Sequence, residues 1–237
     1  MKMTKRLATL AACAVMAASS MVGMGTFAAG NASIASSNST HSQNNDTGYR
    51  MTLKLLYQSD SEWGSTVLGT NSSGGTATIK SDGCAITCFS MILRYYGLSN
   101  ATPKTVYNKM SSSAFPSFDF YGAANTFYSN YVSLSNSRTN YKDASNNCDN
   151  IYFENDTLQQ ANARSRLYAA IRSGKPVIVG VAKSSSKEAD HFVVATGVST
   201  GNAVTYINDP RGANSSYATL NQYFNDNYHI ARLIIYS

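Results

Sequence analysis

Apolar and polar positions in the second half of the chain predict one helix and then a series of strands. Residues 158–174 place apolar side chains at helical spacing: Leu158, Leu167, Ala170 and Ile171. Asp156 or Thr157 can cap this helix, and Gly174 can end it. The segments that predict strands are 177–182, 191–198, 203–209 and 229–237, with a short helix over 220–227.

The first half contains a glycine turn that leads directly into an apolar helix. The sequence from Ser81 is SDGCAITCFSMILRYYG, and its apolar residues fall at mixed helical spacings. This spacing indicates a helix buried on more than one side, and Gly97 can end it. Residues 76–83 are expected to approach this helix in extended form.

The elements around this helix are less clearly marked. Alternation over residues 51–57 predicts a strand that ends at Gln58, and a helix is predicted from Pro103. Residues 122–134 are compatible with a further helix, whereas the rest of 111–155 has no clear order. Together the elements predict an α+β fold, with a helical first part packed on an antiparallel sheet formed by the second part.

The N-terminus differs in composition from the rest. Residues 1–29 combine a short basic region, an Ala/Met-rich run and small residues, which predicts a secretory signal peptide. A lipoprotein anchor at Cys13 is the less favoured alternative. Residues 30–48 are Ser/Asn-rich and are expected to be disordered, with His41 solvated. The folded domain is expected over 49–237, with no stable membrane span after cleavage.

Charge adds little to the prediction. The formal net charge is +6, but three of the 19 basic residues lie in the first six positions. Without them 16 basic residues face 13 acidic ones, a net charge of +3. No basic cluster with interleaved aromatic residues occurs, so nucleic acid is not an expected partner. The sequence leaves the oligomeric state open.

The glycine turn places Cys84 at the first turn of the apolar helix. Unpaired backbone N–H groups and the helix dipole favour the thiolate there, as a nucleophile requires. Cys88 is the rival nucleophile, but it lies one turn further in, among apolar residues where burial raises a thiol pKa. We expect Cys88 to pack in the core, and a disulfide with Cys148 stays open.

The second half offers a base for Cys84. His191 begins a predicted strand after a polar loop and is the favoured base, ahead of His229 near the C-terminus. Asp209, one strand later, can orient the imidazole. Asn208 is the alternative, since neighbouring strand residues face opposite ways and only one of the two can do so.

Two further considerations complete the candidate site. A tetrahedral intermediate needs hydrogen-bond donors, and the Cys84 backbone N–H and the Gln58 side chain are the candidates. No CxxC or HExxH motif occurs, so neither a metal nor another cofactor is expected.

Several segments jointly resemble the bacteriocin-processing (double-glycine leader) peptidase family, and most closely its secreted peptidase-like branch. They are Tyr57-Gln58 with Asp60 and Trp63, Gly83-Cys84-Ala85, Thr102-Pro103, GKPVIVGV, His191 with VVATG, and Ile207-Asn208-Asp209-Pro210. The resemblance covers roughly residues 51–237. It implies a papain-like fold, with Cys84 as nucleophile, His191 as base, Asp209 as orienting group and Gln58 at the oxyanion hole.

The expected function is therefore a secreted cysteine peptidase or amidase acting on a peptide or protein substrate. The membrane and ATPase module of transporter-coupled relatives is not expected, so their leader substrates are not carried over. Ala85-Ile86 stands where the family often has Gly-Pro. The alternatives are a cell-wall peptide hydrolase, an acyl transferase with the same triad, and a catalytically silent extracellular binding module.

Overall fold

A computed structural model describes residues 48–110, 117–144, 148–183, 188–212 and 217–237. The predicted signal peptide, Cys13, His41 and nearly all of the Ser/Asn-rich segment lie outside these ranges. Of the helices within them, none has the length and apolar character needed to cross a membrane.

The described residues form nine strands and six α-helices. The strands are β1 (Tyr49–Arg50), β2 (Val67–Thr70), β3 (Thr76–Thr78), β4 (Thr139–Asn140), β5 (Asn150–Tyr152), β6 (Val177–Lys183), β7 (His191–Val198), β8 (Thr205–Asn208) and β9 (Tyr228–Ile235). The helices are α1 (Ile79–Asp82), α2 (Cys84–Tyr95), α3 (Pro103–Met110), α4 (Phe120–Gly122), α5 (Thr157–Arg172) and α6 (Leu220–Asn225).

Seven strands form one mixed sheet. Its path is β1-β7-β6-β9-β5-β4, and β8 also pairs with β7. Every pairing is antiparallel except that of β4 with β5, so the predicted antiparallel sheet is confirmed for the second half and gains a parallel pair at one edge. β2 and β3 form a separate hairpin.

The central strands are buried on both faces, which explains their continuous apolar runs. Ile178, Val194 and Ile234 pack with α2 in one hydrophobic core. Val177, Val179, Val193 and Leu233 face a second core, to which α5 and α6 contribute. The helix α2 is thus packed against the sheet, as expected for the α+β fold.

Local signals for the helices work as predicted in most places. The α5 helix begins after Asp156, whose side chain accepts a hydrogen bond from the Gln159 backbone N–H at 2.9 Å. The α2 helix ends at Tyr95, and Gly97 follows with φ of +105°. Such a φ favours glycine because it lacks a Cβ.

The predicted strand over 51–57 is wrong. Only Tyr49–Arg50 forms a ladder, against β7. Beyond it the Met51 N–H donates to Thr196 O, and Leu53 O accepts a hydrogen bond from the Asn208 side chain. Among the described residues, no strand pairs with 51–57 to continue the ladder.

Two further predictions need correction. Residues 76–83 are extended only as far as Thr78, because Thr78 and Ser81 form a capping box that starts α1. The helix expected over 122–134 is limited to α4 and a π-helical stretch at Ala123–Phe127. Asp119 caps α4 through the Gly122 N–H, which explains the earlier start.

Candidate active site

Cys84 is the first residue of α2 and is half-buried. The chain turns sharply before it, and the Gly83 N–H donates to Ile79 O at 2.9 Å. A Cβ at position 83 would lie 2.4 Å from Ile79 O, so only glycine fits. The Thr87 hydroxyl donates to Gly83 O at 2.7 Å and fixes the start of the helix.

His191 and Asp209 are hydrogen-bonded to each other in the interior. Nε2 of His191 lies 2.9 Å from Oδ1 of Asp209, and both side chains are almost completely buried. The His191 imidazole also lowers the pKa of the Cys84 thiol through its hydrogen bonding and charge, so the two side chains are neighbours. With Nε2 on the carboxylate, Nδ1 is the ring nitrogen left for the thiol. The structure thus brings together three residues that are far apart in the sequence.

Asn208 does not take part in this arrangement. Its side-chain amide donates to Leu53 O at 3.2 Å, away from His191. Successive strand residues face opposite ways, so Asp209 and Asn208 cannot both reach the imidazole. Of the two alternatives left open by the sequence, Asp209 is the one that contacts His191.

The Asp209 carboxylate has further partners, which sequence reasoning missed. The Tyr223 hydroxyl donates to Oδ2 at 2.7 Å, and the Arg211 backbone N–H donates to Oδ1 at 2.9 Å. Tyr223 lies on α6 and its ring stacks beside His191, with centroids 6.3 Å apart. No pattern in the short segment 220–227 marks this tyrosine, because its role depends on where α6 packs.

The surroundings of the site favour an ion pair between Cys84 and His191. Burial opposes thiolate formation, but the hydrogen bond and charge of His191, the Phe192 backbone N–H and the Arg211 charge together lower the Cys84 pKa. Burial likewise opposes the imidazolium, yet hydrogen bonds to Asp209 and Cys84 raise the His191 pKa above 6.5. Both shifts move towards thiolate and imidazolium.

The other described thiols, Cys88 and Cys148, and His229 lie outside this site. Cys88 is fully buried, and burial raises its pKa well above the ordinary thiol value. Cys148 packs against the other core, and no disulfide joins the described cysteines. His229 is buried on β9, opposite Ala182 of β6.

Gln58 is held next to the segment that leads into Cys84. Its side-chain Nε2 donates to Lys80 O at 2.7 Å, and its backbone N–H donates to Pro210 O. Gln58 is buried. The Trp63 indole N–H donates to the carbonyl oxygen of Tyr57, the residue before Gln58. An amide Nε2 carries two hydrogens, so one remains for a ligand.

A cleft of about 620 Å³ opens over Cys84. Its lining includes aromatic and charged side chains: Phe118, Phe120, Phe192, Tyr152, Arg138 and Arg232. Within the described ranges no three His, Cys, Asp or Glu residues are grouped to hold a metal ion.

Comparison with known proteins gives a match to a family model. The model described as the Peptidase_C39 like family covers residues 52–232, a range that includes Gln58, Cys84, His191 and Asp209. Neither the curated proteins nor the solved structures gave a match. With most of the chain matched, this protein belongs to the Peptidase_C39 like family, the papain-type cysteine peptidase-like domains that its sequence motifs resemble.

Proposed function

We propose that the protein is a cysteine peptidase or amidase that cleaves peptide or isopeptide bonds through Cys84, His191 and Asp209. The observation that carries this proposal is the 2.9 Å contact of His191 Nε2 with Asp209, beside a Cys84 thiol whose pKa the same imidazole lowers. A base held in one orientation beside a thiol at a helix N-terminus meets the requirements for nucleophilic catalysis.

The first half-reaction forms an acyl-enzyme. The Cys84 thiolate attacks the carbonyl carbon of the scissile amide, and a C–S bond forms as the carbonyl oxygen becomes an oxyanion. The His191 imidazolium gives its proton to the amide nitrogen, and the C–N bond breaks to release an amine. The product on the enzyme is a thioester on Cys84.

The second half-reaction restores the thiolate. Neutral His191 takes a proton from water, whose oxygen attacks the thioester carbon, and the acid product leaves as the C–S bond breaks. An amine in place of water would give acyl transfer through the same steps. Asp209 holds the imidazole in one tautomer and stabilises its charged form throughout.

The oxyanion is assigned two donors. The Cys84 backbone N–H at the start of α2 is one, and the second hydrogen of Gln58 Nε2 is the other. The Lys80 carbonyl fixes the Gln58 amide in place before substrate binds, so the donor does not need to reorganise during the reaction.

Secretion through the predicted signal peptide also belongs to this proposal. A culture of cells that express the full chain should contain mature protein that begins near residue 30. N-terminal sequencing of the secreted protein tests this point. A lipid-modified N-terminus at Cys13 would contradict it.

Alkylation of the thiols tests the nucleophile directly. Iodoacetamide should modify Cys84 in the native protein much faster than Cys88, and peptide mapping identifies the modified residue. Cys84→Ala should abolish cleavage of a peptide library, whereas the matched variant Cys88→Ala should retain it. Labelling at Cys88 without labelling at Cys84, or equal turnover by the wild type and Cys84→Ala, would contradict the proposal. The second result would favour a silent binding module.

A further inference from the structure

A single row of side chains crosses the sheet from the residue after His191 to the far side of the cleft. Phe192 on β7 pairs with Gly180 on β6, Gly180 pairs with Arg232 on β9, and Arg232 pairs with Tyr152 on β5. Residues directly opposite each other in a ladder share one face. The row therefore runs along the floor of the cleft that contains Cys84.

Gly180 leaves a gap in this row. A Cβ there would lie 2.8 Å from the Ala189 side chain and 2.9 Å from the Phe192 ring. The missing side chain lets Phe192 and Arg232 approach each other across the central strand. With about 4.8 Å between neighbouring strands, Arg232 lies about 10 Å from Phe192 along the cleft, within three residues of an extended peptide.

Arg232 is a buried cation that forms no ion pair with a carboxylate in the part of the chain that the structure describes. It is only 9% exposed, although arginine is rarely buried unless it is paired. Its Nε donates to Asn150 Oδ1 at 2.9 Å, and Cζ lies 4.8 Å from the Tyr152 ring centroid and 5.0 Å from that of Phe120. Among the described residues, no acceptor is bonded to its two terminal nitrogens.

The other cation of the cleft is already paired. Arg138 lies 3.5 Å from the Tyr152 ring centroid and forms an ion pair with Glu188. Both side chains of this pair are more than half exposed, at 51% and 66%, and such pairs contribute little. The rim of the cleft is thus locally neutral. The Glu188 charge also acts on Arg232, but no ion pair joins these two residues, and the two terminal nitrogens of Arg232 have no acceptor among the described residues.

We propose that the cleft beside Cys84 contains a carboxylate-binding subsite, in which the terminal nitrogens of Arg232 hold an acidic group of the peptide substrate. The subsite rests on the proposed function, since it selects the peptide that Cys84 cleaves. The planar guanidinium matches a carboxylate bidentately, and Asn150, Phe120 and Tyr152 hold it in one orientation. The acidic group is either an Asp or Glu side chain or a free C-terminal carboxylate.

The burial of Arg232 supports a ligand role over a packing role. A guanidinium that served packing alone could bury its stem and keep its head in water, as long basic side chains commonly do. Here Nε is bonded to Asn150 and the head lies against two rings, while the two terminal nitrogens are not among the buried polar atoms without a partner, so they can be reached from the cleft. Burial also lowers the Arg232 pKa, which an anionic ligand would offset.

Binding to an inactive full-length variant tests the subsite without requiring turnover. Peptides that differ only by Glu or Gln at one position, each with a free or an amidated C-terminus, are titrated into Cys84→Ala by fluorescence anisotropy. We expect a preference of about 10-fold or more for one carboxylate-bearing series, the usual size of a charge-assisted hydrogen bond. The series that shows the preference identifies the source of the carboxylate. Equal affinities for all four series would overturn the inference.

Three substitutions, each added to the Cys84→Ala protein, locate the preference. Arg232→Gln should reduce it to within about twofold, whereas Arg138→Gln should largely retain it because Arg138 is exposed and already paired. Arg232→Lys keeps the positive charge but cannot bind a carboxylate bidentately, so its preference should be intermediate. It replaces Arg232→Gln in the test if that variant does not fold. An undiminished preference in folded Arg232→Gln would overturn the assignment.

The two proposals fail in different ways. A carboxylate preference in Cys84→Ala without any turnover by the wild-type protein would reject the peptidase and leave the subsite. Wild-type turnover that distinguishes neither Glu from Gln peptides nor free from amidated C-termini would reject the subsite and leave the peptidase.

Discussion

The Tyr223 hydroxyl donates a 2.7 Å hydrogen bond to Oδ2 of Asp209, while Oδ1 of the same carboxylate contacts His191. The carboxylate is therefore held from two sides, by α6 and by the imidazole. The carboxylate is buried and accepts hydrogen bonds from a tyrosine and a backbone N–H. Partners of this kind hold a catalytic group in one geometry. Tyr223 is accordingly a positioning residue for the proposed triad.

Tyr223→Phe tests this role. A hydrogen bond to a charged group contributes about 1.5–3 kcal/mol, so we expect kcat/KM to fall by about 10-fold or more. The fall should appear in kcat, with KM nearly unchanged, because Tyr223 contacts Asp209 and not the cleft. The alkaline limb of the pH profile should also move, because losing this hydrogen bond changes how strongly the carboxylate stabilises the imidazolium.

Tyr217→Phe is the matched control. The Tyr217 ring packs against Tyr223 with centroids 4.2 Å apart, but its hydroxyl donates to the surface residue Asp226. Its kcat and pH profile should remain near the wild-type values. Equal losses in the two variants would show that Tyr223 supports packing and not Asp209.

The paired pKa shifts of Cys84 and His191 predict a bell-shaped pH dependence of alkylation and cleavage. The reactive pair exists above the lowered Cys84 pKa and below the raised His191 pKa. Activity is therefore lost as the pH falls through the first and as it rises through the second, and the measured values belong to the coupled pair.

Asp209→Asn removes the charge that favours the imidazolium. The His191 pKa should fall, so the alkaline limb should move to lower pH and the reactive window should narrow. The rate of alkylation at Cys84, measured at a series of pH values, reports this shift. Asp226→Asn, at a surface carboxylate, is the control. An unchanged alkaline limb in Asp209→Asn would contradict the assignment of Asp209.

Gln58→Glu tests the proposed oxyanion donor. The side chain keeps its shape but loses the amide hydrogens, so kcat should fall by about 100-fold or more, as for other oxyanion-hole donors. Alkylation of Cys84 forms no oxyanion and should be much less affected than cleavage. A parallel loss of both reactions would indicate a damaged site instead of a missing donor. Gln58→Ala provides a neutral second variant.

Gly83→Ala should displace the start of α2. The new Cβ would lie 2.4 Å from Ile79 O and 2.7 Å from Ile79 Cα, both backbone atoms that cannot turn aside. We expect a loss of about 1–3 kcal/mol in the free energy of unfolding, together with slower alkylation of Cys84.

Gly75→Ala is the control for this substitution. Its Cβ would meet only the Asn71 side chain, at 3.4 Å, so the free energy of unfolding should change little. Denaturant unfolding followed by circular dichroism measures both variants. Wild-type stability and alkylation in Gly83→Ala would show that the turn before Cys84 does not require glycine.

Structural features that depend on neighbouring residues in the chain were predicted well from the sequence. The cap at Asp156, the glycine before Cys84 and the apolar runs of β6, β7 and β9 all depend on local backbone chemistry or on burial of both faces. The same reasoning fails at residues 51–57, where alternation predicts a strand but no partner strand continues the ladder.

The sequence by itself determined the residue types of the candidate site: a thiol at a helix start, a histidine at a strand start and a carboxylate at a strand end. Only the tertiary structure decided that Asp209 and not Asn208 meets His191, that Tyr223 holds the same carboxylate and that Arg232 is buried in the cleft. These relationships join residues on different elements, and their distances depend on how strands register and how α6 packs. A linear pattern contains the chemistry of each group, but the packing of the sheet decides which groups meet.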